Sequence, residues 1–194
     1  EKPKVPKSNL ASMGVYVFTW KVLRKYLKED AKKEDSEHDF GKNIIPTLLN
    51  DGMKLQAYRF QGYWRDVGTL ESLHSANLDI PFENESVSLY DELDLNKIYT
   101  EDTFSVPQYI GKSGSIKRSL ANQGAIILGE VVDSVISNEV LIDEGAVCKK
   151  CVIMAGAKIG KGAELYNCIV GPDTVVKPGS KINLGNKEVA LISK

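Results

Sequence analysis

The 194-residue chain carries 25 Lys and Arg against 26 Asp and Glu, and 42% of it is apolar. That is enough apolar material for a folded core, while so even a charge balance excludes holding nucleic acid or an acidic membrane surface by net field alone. No apolar run approaches the roughly 20 residues that span a bilayer, and the opening EKPKVPKSNL lacks the apolar centre of a signal peptide. The expected location is therefore the cytoplasm, with small ligands rather than nucleic acid or membrane as partners. Three cysteines, an odd number, do not form a disulfide framework, which agrees with a reducing compartment.

In chain order, residues 13 to 18, MGVYVF, are β-rich and predict a strand entered from a loop. Thr19 is placed to cap a helix in which Trp20, Leu23 and Leu27 recur at helical spacing, ending near Glu29. The segment KEDAKKEDSEHD is almost wholly charged and reads as an exposed connection. A second helix is expected from Phe40 to Asn50, with Gly52 at its C-terminal cap. Residues 53 to 60, MKLQAYRF, alternate as a further strand, and a short helix starts near Thr69. Strands alternating with helices imply a partial, Rossmann-like α/β layer, although two or three strands are too little sheet to cover these helices.

Residues 81 to 107, bounded by Pro81 and Pro107 and acidic between, read as a linker, so the expected domains are 1–80, 81–107 and 108–194. The last of these is a repeat. Large apolar residues stand at Ile136, Ile142, Cys148, Ile153, Ile159, Leu165, Val170, Val176 and Ile182. Two positions before each stands Ser134, Val140, Ala146, Cys151, Ala157, Ala163, Cys168, Thr174 and Ser180, nearly all small. A six-residue period is neither helical nor a simple strand alternation; it is the hexapeptide signature of a parallel β-helix, three units to a triangular coil. Residues 108 to 135 follow the same pattern more loosely and are expected to form the first coil.

The pattern also disposes of several tempting motifs. Cys148 and Cys151 make a CxxC pair, but no second pair or histidine accompanies them, and the repeat assigns both to inward positions, so they read as core. The GKS at 111 to 113 lacks the glycine a phosphate loop needs, since Val106 stands there. His38 and His74 lie outside the repeat, which leaves a hexapeptide acyltransferase without its base.

The informative constellation is spread over the first 70 residues: Glu1, Lys2 and Pro3, then SMGVYVF from Ser12, DFGKNIIP from Asp39 and YWRDVGT from Tyr63. These residues bring a carboxylate and hydroxyls suited to sugar hydroxyls, a Lys suited to phosphate, an aromatic platform in Trp64 and a carboxylate, Asp66, able to hold magnesium. Singly each has a plain alternative: Lys2 a solvated charge, Trp64 a core aromatic, Asp66 a cap or turn residue.

Taken in this order, with VPQYI closing the linker and CVIMAGAKIGKGA inside the repeat, the motifs resemble glucose-1-phosphate adenylyltransferases (ADP-glucose pyrophosphorylases), Gram-positive bacterial ones especially, over nearly the whole chain. EKP and DVGT are shared across sugar-nucleotide pyrophosphorylases, whereas DFGKNIIP and CVIMAGAKIG are more specific. The resemblance implies a left-handed β-helix behind the carboxy-terminal part of a nucleotidyltransferase domain. It implies that Glu1, Lys2 and Ser12 contact glucose 1-phosphate, that Tyr16, Asp39, Phe40, Trp64 and Asp66 line the sugar pocket, and that Asp66 is one of two carboxylates for Mg2+. Lys2 and Asp66 are the implied catalytic residues. The implied reaction joins ATP and α-D-glucose 1-phosphate to give ADP-glucose and pyrophosphate, for glycogen biosynthesis.

One departure matters. In the family a Gly-rich nucleotide loop with its Arg, and the other metal carboxylate, precede EKP, and nothing like them occurs in these 194 residues. The chain therefore reads as a carboxy-terminal portion that does not turn over substrate alone. The resemblance further implies a homotetramer, or pairing with a homologous subunit, and allosteric control by a glycolytic metabolite near the domain junction. Two other readings stay open: a non-catalytic regulatory subunit, and a β-helix subunit whose role is assembly.

Overall fold

A six-residue period buries a continuous core only if each coil turns three corners and lays its strands on those of the coil before. The computed structural model, which describes residues 8–80 and 102–194, shows this arrangement. Glu1, Lys2 and residues 81–101 of the expected linker lie outside the described residues. The chain divides into two compact units between Phe60 and Gln61, and the second contains the repeat.

Thirteen short strands, β1 (Tyr109–Ile110) to β13 (Ala190–Ile192), build a parallel solenoid with three faces. The first face stacks β1, β4 (Ile126–Ile127), β7 (Leu141–Ile142), β9 (Lys158–Ile159) and β11 (Val175–Val176). The second face stacks β2 (Ser115–Lys117), β5 (Glu130–Val132), the first half of β8 (Val147–Ile153), the first half of β10 (Glu164–Val170) and β12 (Lys181–Ile182). The third joins β3 (Leu120–Ala121), β6 (Val135–Ile136), the second halves of β8 and β10, and β13. Residues 108 to 135 thus supply the first coil and most of the second, more than the first coil expected of them.

The register follows the pairing of large and small inward residues. Ile136, Ile142, Cys148, Ile153, Ile159, Leu165, Val170 and Val176 are all buried, as are Ser134, Val140, Ala146, Cys151, Ala157, Ala163, Cys168 and Thr174. Only the final pair, Ser180 and Ile182, is partly open. Each buried Ile or Leu contributes about 2 kcal/mol by leaving water, and the small residue beside it leaves room for the turn of the coil. The three thiols are inside and unpaired, with Cys151 Sγ stacked 3.6 Å from Cys168 Sγ on the next coil. Burial pushes the Cys148 thiol well above its usual range, so these cysteines are packing groups, as expected.

The corners explain the residues between hexads. Arg118, Asp133, Lys150, Asn167 and Asn183 all take positive φ and stack as one corner column between the second and third faces. Arg118 ties this column to the next coil through paired bonds to Asp133, Nε at 2.7 Å and Nη2 at 2.8 Å. Most coils advance by 17 residues, as from Leu141 to Lys158, but Ile126 and Leu141 are only 15 apart. Gly129 sits at the corresponding tight corner, where a Cβ would lie 2.3 Å from the Ala146 carbonyl oxygen; no other residue fits there. The carboxyl end is less regular, as expected: a detour over 183–189 precedes β13, which regains the third face beside β10. Asn183 and Asn167 secure the detour, each donating to the Glu188 carbonyl, at 2.9 Å and 3.0 Å.

Before the solenoid the chain is helical. The helix α1 (Trp20–Asp30) has the expected span, and Thr19 has N-cap backbone geometry, but its hydroxyl makes no capping bond; its carbonyl oxygen accepts from Val22 and Leu23 instead. The second expected helix opens as a π-helical turn (Phe40–Ile44), capped by Asp39, and continues as α2 (Ile45–Asn50). Gly52, at φ +68°, closes it with bonds from Gly52 N to Leu49 O and from Met53 N to Leu48 O, the paired pattern of a Schellman motif. Helix α3 (Leu70–Asp79) starts at Thr69 in a full capping box with Ser72.

The two strands expected at 13–18 and 53–60 do not form: neither segment carries a β ladder. A strand exists by pairing, and the described residues offer these segments no neighbour. Val15, Val17 and Tyr58 consequently stand open to solvent. The charged connection also departs from expectation, because Asp30 within it is buried.

In the second unit, α3 packs on the third face of the solenoid through Leu73 and Leu78 against Val135, Val152, Met154 and Ile169. His74, also buried, holds its Nε2 2.7 Å from the Lys150 carbonyl oxygen. Among the described residues no helix is long and apolar enough to cross a membrane. Substituting Ala157→Phe inserts a ring where the solenoid interior is closed and is expected to cost about 1–3 kcal/mol. The measurement is thermal unfolding of the purified protein; an unchanged midpoint contradicts this register.

Candidate functional site

Among the described residues four of the candidate sugar contacts, Ser12, Tyr16, Asp39 and Phe40, lie in the first unit, and its local structure brings them together. Gly14, at φ +70°, turns the chain after Ser12, and the Ser12 hydroxyl accepts from Gly14 N at 3.2 Å. The turn returns Tyr16 toward Ser12, their hydroxyl oxygens 3.3 Å apart. The Tyr16 ring stacks on Phe40 with centroids 5.8 Å apart and planes 23° from parallel. Phe18 completes the cluster, 6.0 Å from Tyr16 and 5.8 Å from Phe40. The Tyr16 and Phe40 rings are partly exposed, with a hydroxyl pair at the edge of the cluster.

Asp39 precedes Phe40 and is fixed by the π-helical turn it caps. Its Oδ1 accepts from Lys42 N at 2.8 Å, and its own N–H donates to Asn43 Oδ1 at 3.2 Å. The capping bonds occupy Oδ1, while Oδ2 has no hydrogen bond among the described residues and is available to a ligand hydroxyl. The signals that placed these four residues on the sequence were DFG and SMGVYVF; what the sequence did not show is that Phe18 belongs to the same cluster.

The residues just before Asp39 form a second polar group that the sequence reading missed. The buried Asp30 accepts from the Ser36 hydroxyl at 2.7 Å and lies 2.9 Å from His38 Nδ1. The His38 bond first, then the Ser36 bond, holds the Asp30 carboxyl below its usual range. The only clue in the sequence was a histidine inside a run of charge, which pattern analysis reads as solvated.

Trp64 and Asp66 lie in the second unit, in the turn leading to α3. Tyr63 and Arg65 are drawn to Asp79 at the far end of α3: the Tyr63 hydroxyl donates at 2.9 Å and Arg65 Nε at 3.0 Å, with Arg65 Nη2 at 2.9 Å. Burial, then the bond to Asp79, pushes the Tyr63 hydroxyl up. Trp64 and Asp66, which make no bond to Asp79, stand exposed, as does Arg65. Trp64 is therefore not a core aromatic. Asp66 Oδ1 accepts from Gly68 N at 2.9 Å, an Asx turn that orients the carboxylate just ahead of the Thr69 cap. Asp79, which anchors this turn, was a further residue the sequence did not mark.

For a divalent metal, the chemistry of Asp66 is suitable: a hard oxygen donor with Oδ2 unused by any hydrogen bond among the described residues. Among the described residues there is no group of three or more His, Cys, Asp or Glu placed to hold an ion. Glu1 and Lys2 lie outside the described residues.

Comparison with known proteins agrees with this two-part reading. Residues 1–82 match the family described as nucleotidyl transferase, and residues 104–189 match the GlmU-like, C-terminal hexapeptide family. Over all of its length the chain is 46% identical to the glucose-1-phosphate adenylyltransferase of Bacillus cytotoxicus, covering 52% of that protein. Over 94% of its length it is 44% identical to the enzymes of that name from Bacillus cereus and Bacillus mycoides, covering 48% of each. The chain spans about half the length of the curated relatives it matches. Nucleotidyltransferases of this type generally use a divalent metal. The chain thus joins a nucleotidyltransferase segment to a hexapeptide solenoid and is similar along its whole length to proteins named glucose-1-phosphate adenylyltransferase.

Proposed function

We propose that the chain is the carboxy-terminal portion of a cytosolic enzyme that joins ATP and α-D-glucose 1-phosphate to give ADP-glucose and pyrophosphate, for glycogen synthesis. The observation that carries this reading is likeness along the entire chain, not in one motif, to enzymes named for that reaction. The geometry of the first unit gives the reading its chemistry. In this proposal the domain of the reaction ends near residue 80, and the solenoid from residue 108 is left-handed and assembles the enzyme as a homotetramer.

A hexose has apolar C–H faces and a rim of hydroxyls. The Tyr16 and Phe40 rings suit the first, and the Ser12 hydroxyl and the open oxygen of Asp39 suit the second. Trp64, exposed beside Asp66, is assigned a further contact to the sugar, and Glu1 binds sugar hydroxyls or nearby backbone. Lys2 pairs with the phosphate of the sugar. The reaction requires a phosphate oxygen to attack the α-phosphorus of ATP in line, so that a P–O bond forms as the bond to pyrophosphate breaks. Two anions must approach, and the residues act by orienting them and offsetting charge, with no covalent intermediate on the protein. Asp66 would hold Mg2+ together with a carboxylate from elsewhere in the enzyme; when bound, the ion offsets phosphate charge.

The test is pyrophosphate release by the whole protein, assayed with each sugar phosphate and each nucleoside triphosphate. Release is expected with glucose 1-phosphate and ATP, and its absence removes the proposal. In the same protein, Asp66→Asn should lower kcat on the order of 100-fold or more while changing the KM for glucose 1-phosphate little. Equal loss in both quantities contradicts the metal role.

A further inference from the structure

The segment between α1 and Asp39 has little that could anchor it by burial. From Lys32 to His38 it is KKEDSEH, without one apolar side chain. Yet it delivers Asp39 and Phe40, and a sugar pocket requires both to be placed within a fraction of an ångström. The anchor is polar. Asp30, buried at the end of α1, accepts from the Ser36 hydroxyl at 2.7 Å and meets His38 Nδ1 at 2.9 Å. The Ser36 oxygen in turn accepts from the His38 backbone N–H at 3.1 Å, so the three residues form a closed ring of bonds. The Lys42 and Glu37 side chains pair beside it.

The composition is that of a hydrolase triad, but the connectivity is not. Ser36 donates to Asp30 and accepts from backbone, so the imidazole does not serve it as a base. The ring instead supports a backbone that would otherwise be disfavoured: His38 has φ +53°, in the left-handed region that a side chain with a Cβ rarely adopts. That turn of the chain sets the direction in which Asp39 leaves to cap the π-helical turn and in which Phe40 reaches Tyr16.

We infer that Asp30, Ser36 and His38 are positioning residues, a polar clasp that sets Asp39 and Phe40 for the sugar of the sugar phosphate. The inference rests on the function proposed above. The clasp touches neither substrate; it acts through the backbone at His38 and governs sugar affinity, leaving nucleotide affinity unchanged. Its bonds need an ionised Asp30, and the carboxyl is held below its usual range by the same partners.

The test compares two substitutions that both tolerate positive φ. Asn at this position keeps an N–H donor near the place of Nδ1, and Gly does not. In the whole protein, with pyrophosphate release as the assay, His38→Gly should raise the KM for glucose 1-phosphate by roughly tenfold. The KM for ATP should stay within about twofold, and His38→Asn should recover most of the loss. Asp30→Asn should reproduce the His38→Gly effect. Global destabilisation would lower the active fraction, and hence the apparent kcat, without this selective change in KM. An active wild type in which His38→Gly and His38→Asn behave alike, or in which both KM values rise together, overturns the clasp alone. A wild type that releases no pyrophosphate from this pair of substrates overturns the assigned reaction, and the clasp's role with it.

Discussion

The second unit rests on one packing constraint: a coil that turns three corners must put a large and a small side chain inward on each side, and put them over the matching pair of the next coil. Ile142, Ile159 and Val176 stack in this way on one face, and Cys148 with Leu165 on the next. Because parallel strands of successive coils bond only to each other, side-chain packing and backbone pairing demand the same register. A shift of one residue would turn the buried set outward and place the corner residues, with their positive φ, inside the strands. This agreement between two kinds of interaction is why such short strands, several of only two residues, hold a long continuous core.

The same prism supplies a platform. Leu73 and Leu78 give α3 an apolar seat on the third face, and His74 adds a polar contact to a corner carbonyl. The Thr69 cap and the Asp66 turn stand at the start of that helix, and Asp79 at its end draws back Tyr63 and Arg65. Along these four residues Tyr63 and Arg65 bond to Asp79, whereas Trp64 and Asp66 lie exposed without such a bond. Structure and candidate chemistry are thus divided residue by residue within YWRD.

The first unit solves a different problem, since its apolar segments at 13–18 and 53–60 have no sheet to enter among the described residues. What organises it is a small core, Tyr26, Ile44 and Leu48 with Phe18, Val22, Leu23 and Leu27 against them, joined by a glycine turn after Ser12, a cluster of three rings, a capped π-helical turn and the polar clasp at Asp30. The turn, the cap and the clasp each act through one or two directional bonds. Directional bonds suit a site that must stay open to a ligand, because a buried aromatic cluster would leave no surface to bind with.

Much of this was legible from residue order alone. The solenoid, its register and the fate of the cysteines follow from a period of six, since periodicity reports directly which side chains face inward. The span of α1, the close of α2 and the start of α3 were legible for a similar reason: caps and glycines act within a turn of their own position. The likeness that pointed to Ser12, Tyr16, Asp39, Phe40, Trp64 and Asp66 also needed only the order of motifs. What residue order could not supply were relations between groups distant in the chain. Pairing decides whether an apolar alternation becomes a strand, and MGVYVF and MKLQAYRF found no partner. Burial decides whether a charge is solvated, and Asp30 was drawn inside by Ser36 and His38 from a run that composition marks as exposed. The sequence by itself determined the helices and the inward face of the repeat, because those depend on neighbours within a few residues; only the tertiary structure decided that Phe18 joins the ring cluster and that Asp30 and Asp79 anchor the candidate sites, because those depend on which surfaces meet.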